Sequence, residues 1–224
     1  MSDADALVIL AVKPDSPFCI EEDAVPRFRL AFFDFTGSGH VPVTEARPWA
    51  CWSHKVLGKG EGLAWLDRQV LGEFDYIAVI DHDVMLSISE INRLLFIGRI
   101  HRLDLFQPSL AHDSYISHPH LAQRPGILVR ETTFVEVMTS FLSAHAYALV
   151  RDLFPETISG YGIDIAWSQR IRNQGGRVAV IDGVPAKHLN PVTSPTWRFP
   201  NGETSLDELH RVIARHGLAG YELK

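Results

Sequence analysis

The chain has 224 residues, 46% of them hydrophobic and 21% charged, the proportions of a soluble globular protein with enough apolar material for a core that needs no staples. Its 27 acidic residues outweigh 21 basic ones for a formal charge of -6, and no basic block stands out, which argues against binding nucleic acid by charge neutralisation. The only two cysteines, Cys19 and Cys51, supply neither a disulfide framework nor metal-site spacing, and no apolar run reaches spanning length, so no integral membrane segment is expected, the thiols should sit in or just under the core, and the expected address is the cytoplasm.

In chain order, Ala6–Val12 is a continuous apolar run closed by Lys13-Pro14-Asp15 and predicts a buried strand. Arg29–Phe35 predicts a second strand, stopped by Gly37-Ser38-Gly39. Val56, Leu63, Leu66 and Val70 fit a helix over Ser53–Leu71, with a flexible start at Gly58, Gly60 and Gly62. Phe74–Ile80 is the strongest strand, apolar but for Asp75, and such a strand belongs in a central sheet covered on both faces. Ser87 and Glu90 form a capping-box pair for a helix to about Ile100.

Leu103–Phe106 predicts a short strand, and Pro108 to Pro125 a polar loop dense in His, Tyr and Pro. Thr132–Phe141 reads as a strand, with Ser143 capping a helix from Ala144 to Phe154. A helix over Ile163–Asn173 ends at Gly175-Gly176, and Arg177–Ile181 is a strand followed by a loop holding Lys187-His188-Leu189-Asn190-Pro191. Ser205 with Glu208 predicts the cap of a last helix that Gly217 ends. Strand and helix alternate throughout, which predicts one α/β domain over residues 1–224.

The chemistry concentrates after the strongest strand, at Asp81-His82-Asp83. Ligands collect at the carboxyl ends of central strands in open α/β sheets. On an extended segment the two aspartates point the same way, and converging carboxylates repel unless a proton or cation lies between them. Oxygen ligands suit Mg2+ or Mn2+, which also bridge phosphate oxygens, so Asp81 and Asp83 are candidate metal ligands. The competing reading makes Asp81 a turn residue and Asp83 a helix cap.

These residues resemble the Asp-x-Asp motif of glycosyltransferases with the GT-A (nucleotide-diphospho-sugar transferase) fold. Together with Phe106-Gln107-Pro108-Ser109-Leu110, Phe134-Val135-Glu136-Val137-Met138 and Gly160-Tyr161-Gly162-Ile163-Asp164, they are similar to a plant-rich family of uncharacterised glycosyltransferase-like proteins, over roughly Arg29 to Pro191. The usual acidic middle residue of the motif is His82 here, which leaves the aspartate pair intact. The resemblance implies a three-layer α/β/α sandwich with a mixed, mostly parallel sheet. It implies a nucleotide-diphosphate sugar as donor, Mn2+ or Mg2+ as cofactor, and a glycan or other hydroxyl acceptor.

It also implies roles for later residues. Asp164, in the first turn of its helix, matches the acidic residue that acts as base or positions the acceptor hydroxyl, and His188 the late histidine that serves as third metal ligand; the competing readings are a helix cap and a surface histidine. Asp81 would contact the ribose or a metal-bound water, with Lys187 and, less centrally, Lys55 on the diphosphate. Trp167 would offer an aromatic plane to a sugar, with Tyr161 and His112 beside it. His112, His118 and His120 fall in the long loop, either as part of a substrate lid or as solvated side chains. The same residues also fit a non-catalytic sugar- or nucleotide-binding protein of this fold, or a metal-dependent hydrolase using Asp81, Asp83 and Asp164.

Overall fold

The computed structural model describes residues 5–16, 18–70, 73–191 and 197–218. Strands β1 (Leu7–Val12), β3 (Arg29–Asp34), β4 (Ala50–Ser53) and β5 (Tyr76–Ile80) form a parallel block in the order β5-β1-β3-β4. β1 and β5 are buried at every position, as their unbroken apolar runs require. Beyond β5 the sheet turns antiparallel through β9 (Thr139–Ser143), which pairs with both β5 and β7 (Leu105–Leu110). β7 then runs parallel to β10 (Val178–His188). The short strands β2 (Ile20–Glu21), β6 (Val84–Ser87) and β8 (Val129–Glu131) extend the far side, and the result is a mixed, mostly parallel α/β sheet.

Helices α1 (Lys59–Asp67), α2 (Ile88–His101), α3 (Ala144–Val150), α4 (Ile163–Asn173) and α5 (Ser205–His216) accompany the sheet. The capping box at Ser87 and Glu90 is formed as expected, and Ser143 caps α3. The α3 segment tightens into a 3-10 turn at Arg151–Glu156 rather than continuing as one helix to Phe154. The helix expected over Ser53–Leu71 is confined to α1; residue 71 lies outside the described residues, and residues 50–53 belong to β4 instead. α5 is capped one residue earlier than expected, by Thr204 with Asp207. Glu208 is fully buried and accepts the backbone N–H groups of Ile158 and Ser159, so it serves packing rather than the cap.

β10 differs most from expectation. Its first half pairs with β7, then the register shifts between Ile181 and Ala186, and the strand goes on to pair Lys187 and His188 with β6. Asp182, buried at the irregularity, takes an ion pair from Arg130 at 2.7 Å and a hydrogen bond from the Arg124 N–H. Those partners allow the strand to pass Gly183 and Pro185 without ending, so His188 terminates a strand and is not in a loop. The loop expected over residues 108–125 is shortened by β7, which runs on to Leu110, and holds the 3-10 turn Pro119–Leu121. Cys51 stands exposed on β4, not beneath the surface, while Cys19 is half-buried.

Asp34 ties the edge of the parallel block together. Fully buried at the end of β3, its carboxylate accepts from the N–H groups of Thr36 (2.9 Å), Gly39 (2.7 Å) and His40 (3.1 Å) and from the Ser53 hydroxyl (2.8 Å). Burial works to raise its pKa, but these donors outweigh burial and hold it far below the usual carboxylate range. Removing the carboxylate leaves several donors without an acceptor, so Asp34→Ala is expected to cost on the order of 3 kcal/mol in urea unfolding. A loss under about 0.5 kcal/mol would contradict this account.

Candidate active site

Strand β5 delivers Asp81-His82-Asp83 to its carboxyl end, but the three residues are not extended. The Val84 N–H donates to the Asp81 carbonyl at 3.2 Å and closes a tight turn, so the two-residue alternation of a strand no longer applies. The two carboxylates accordingly take different partners. Asp81 pairs with Lys59, at the first position of α1. Asp83 faces the end of β10, with His188 Nε2 at 3.5 Å and the Asn190 side-chain amide donating at 3.0 Å. Among the described residues, no group of three or more His, Cys, Asp or Glu side chains is placed to hold a metal ion. In this arrangement Asp81 is paired with Lys59, and Asp83 with His188.

The pairing of Asp83 with His188 perturbs both groups. Burial works to raise Asp83, yet hydrogen bonds from His188 and Asn190 prevail and hold it down at about 2. Burial likewise works to lower His188, and the hydrogen bond to Asp83 prevails and raises it. His188 Nδ1 lies 3.2 Å from the Tyr115 carbonyl, and its backbone N–H meets the Ser114 hydroxyl, so the loop after β7 fixes the ring.

Lys59 is placed by glycines. Gly58 and Gly60 lie against the turn 157–160, where a Cβ on Gly60 would come within 2.2 Å of the Thr157 carbonyl and one on Gly58 within 2.4 Å of that of Ile158. The N–H groups of Lys59 and Glu61 donate to the carbonyls of Ser159 and Ile158. These glycines serve close backbone approach, not a flexible helix start. Gly160, at φ +92°, would place a Cβ 3.0 Å from the Lys59 side chain. The acidic turn and the Gly160–Asp164 turn thus meet at Lys59.

From that turn α4 begins, with Gly162 in the left-handed region and Asp164 in the first turn. The half-buried Asp164 carboxylate accepts the N–H of Ile165 at 2.9 Å and that of Val137. Burial outweighs these hydrogen bonds and pushes it up to about 7. Val137 belongs to a segment that also bonds the acidic turn, for the Asp81 N–H donates to the Met138 carbonyl at 2.8 Å. Immediately before these two residues comes Glu136, buried, which the residue pattern had not marked as functional. Burial, and next the charge of Asp164, push it up to about 7. A lone carboxylate inside Phe134-Val135-Glu136-Val137-Met138 was the available signal.

Other expectations need correction. Trp167 is fully buried, edge-on to Phe154 at 6.3 Å, and cannot offer a plane to a sugar. Lys187 alternates with His188 along β10, points to the opposite face and pairs with Asp113. Lys55 is exposed beside Gly37, while Lys59, four residues further on at the start of α1, reaches Asp81. His118 and His120 are not solvated but half-buried against Phe134, at ring distances of 4.9 and 4.7 Å. His112 is exposed on the loop after β7, and Tyr161 is half-buried in the turn between Gly160 and Gly162.

A cavity of about 260 Å³ opens at the carboxyl ends of β1, β3 and β5, lined by Ala11, Phe35, Val56, Val79 and Asp81 among others. Its place and mostly apolar wall are those of a ligand site in an open α/β sheet.

Solved structures share this architecture. TarS from S. aureus superposes with a TM-score of 0.61 at 11% identity over 97% of this chain and 40% of its own. The 1–349 portion of TarS with UDP-GlcNAc gives 0.62 at 9% identity, over 96% of this chain and 66% of that one. GalNAc-T7, solved with UDP, GalNAc and Mn2+, gives 0.62 at 8% identity over 94% and 48%. The chain has the fold of the GT-A glycosyltransferases. It spans between 40% and 66% of the length of these structures. No family model and no curated relative matches the sequence. No helix among the described residues is long and apolar enough to cross a membrane.

The Asp83–His188 pair has a pH signature. The raised His188 contributes stability that is present in full below about pH 6.5 and lost as pH rises through its folded pKa. The lowered Asp83 contributes above about pH 4 and loses its part as pH falls toward 2. Thermal melting of His188→Gln should therefore fall furthest below the parent at pH 5 to 6, with the gap narrowing by pH 8. A gap independent of pH would show that the pair is not charged in the folded chain.

Proposed function

We propose that the chain is a glycosyltransferase that moves a sugar from a nucleotide-diphosphate sugar to an acceptor hydroxyl. The observation that carries this reading is the convergence of three arms on one end of the sheet: Asp83 with His188, Lys59 with Asp81, and Asp164 at the start of α4. The cavity over β1, β3 and β5 takes the nucleoside, and Lys59 the diphosphate.

A carboxylate facing an imidazole is a suitable donor set for Mn2+ or Mg2+, which commonly use few protein ligands and complete their shell with phosphate oxygens and water. Asp83 and His188 would hold that ion, whose chemistry is to neutralise charge on the departing diphosphate. Asp81 stays outside the shell and orients Lys59. Asp164 accepts the proton of the attacking hydroxyl as the new bond to the anomeric carbon forms, and the bond from that carbon to the phosphate oxygen breaks with its electron pair on the nucleoside diphosphate. A carboxyl poised at about 7 both accepts and releases a proton readily near neutrality. The likeness of the fold to structures containing UDP-GlcNAc, or UDP with Mn2+, supports this choice of donor.

The test is release of nucleoside diphosphate from a panel of nucleotide sugars with Mn2+, with and without glycan acceptors. Asp83→Asn is expected to abolish the Mn2+-dependent part of donor binding in calorimetry. Asp164→Asn should keep donor binding and lower turnover about 10²- to 10⁴-fold. Donor binding without release under any acceptor would make the chain a binding module, and turnover of simple phosphate esters or glycosides without a nucleotide would make it a hydrolase.

A further inference from the structure

Glu136 carries a feature that its surroundings do not explain. The residue is 7% exposed, and its Oε2 is buried without a hydrogen-bond partner. Oε1 has only His118 Nε2 nearby, at 3.8 Å, beyond hydrogen-bond reach. Burial and the neighbouring His120 lower the pKa of His118, which works against its pairing with a carboxylate. Among the described residues no Lys or Arg pairs with Glu136.

Nor does the backbone need this carboxyl. The Glu136 N–H donates to Gln107 Oε1 at 2.6 Å, the Val137 N–H to Asp164, and the Met138 carbonyl accepts from Asp81, so the segment is fastened without it. A buried, unpaired carboxyl oxygen is costly, and a glutamine or methionine would fill the same volume with less penalty. The cost is explained when the oxygen has a partner that arrives from outside.

The position indicates which partner. The two residues that follow Glu136 touch the two halves of the site: Val137 holds Asp164, and Met138 holds the Asp81 turn. The Glu136 carboxyl itself senses the charges of Asp164, His188 and Asp81. A group lying between the diphosphate arm and the acceptor base is the sugar in transit. Beside Glu136, the rings of His118, His120 and Phe134 form a cluster with centroids 4.7 to 5.9 Å apart. Apolar faces around a few placed polar atoms are the usual composition of a small-ligand pocket.

We propose that Glu136 is a substrate-binding residue, whose unpartnered Oε2 accepts a hydroxyl of the transferred sugar. The assignment rests on the glycosyltransferase reading and adds to it the residue that distinguishes a nucleotide sugar from the bare nucleotide. It assigns no proton transfer to Glu136, which leaves Asp164 as the base.

The experiment is calorimetry on the full chain with Mn2+, using UDP, GDP and ADP and the corresponding glucose conjugates, together with UDP-GlcNAc. The quantity read is the ratio of the Kd for a nucleotide sugar to that for its nucleoside diphosphate. Glu136→Gln is expected to leave nucleoside diphosphate affinity within about twofold and to raise the ratio about tenfold, the loss of one hydrogen bond made by the carboxyl. Glu136→Asp, which keeps the carboxyl but withdraws it, should raise the ratio too, and it replaces the glutamine variant if that one lacks native near-ultraviolet dichroism. An unchanged ratio overturns the assignment. So does an equal loss for sugar-bearing and bare nucleotides, which would mark Glu136 as structural. Failure of the parent chain to bind any of these nucleotides overturns the transferase reading itself, a result separate from the other two.

Discussion

The site depends on one close approach of backbone to backbone. Residues 58–61 lie against residues 157–160 with their N–H and carbonyl groups paired, at a separation that no side chain at Gly58 or Gly60 would permit. This contact sets Lys59 at the acidic turn, and it sets the Gly160–Asp164 turn beside Lys59. The polar contacts that follow, from Asp164 to Val137 and from Met138 to Asp81, close a ring of segments around the end of β5.

Electrostatics then divide the ring. On one side Asp83 is held ionised by His188 and Asn190. On the other, Asp164 and Glu136 are pushed toward neutrality by burial. Carboxyls in one site thus take opposite protonation habits, because donors prevail over burial at Asp83 while burial prevails at Asp164 and Glu136. A chemistry that needs both a fixed negative charge and a proton acceptor near pH 7 finds both here.

How much of this was legible in the sequence depends on whether the signal is local. β1, β3 and β5 were readable because unbroken apolar runs leave few alternatives, and the Ser87–Glu90 box because capping acts over three residues. The turn Asp81–Asp83 was legible as a site, but not the separation of its carboxylates, since the partners Lys59 and His188 lie far away in sequence. Trp167 was misread because its depth is set by Phe154 and the sheet rather than by its helix. The continuation of β10 past Gly183 and Pro185 relies on Arg124 and Arg130, more than fifty residues upstream. Thr204 was passed over as a cap because Glu208 looked like the acid of a box, while burial gives it another task.

That task gives the last helix a place in the order of assembly. Glu208, without exposure to solvent, holds the N–H groups of Ile158 and Ser159 and the Ser159 hydroxyl, and these are the residues that Gly58 rests upon. During synthesis the sheet can close once β10 has left the ribosome, yet the turn that positions Lys59 still lacks its anchor until α5 follows. The sheet can therefore form before the turn at Lys59 is anchored, and the candidate site waits for a helix made after β10.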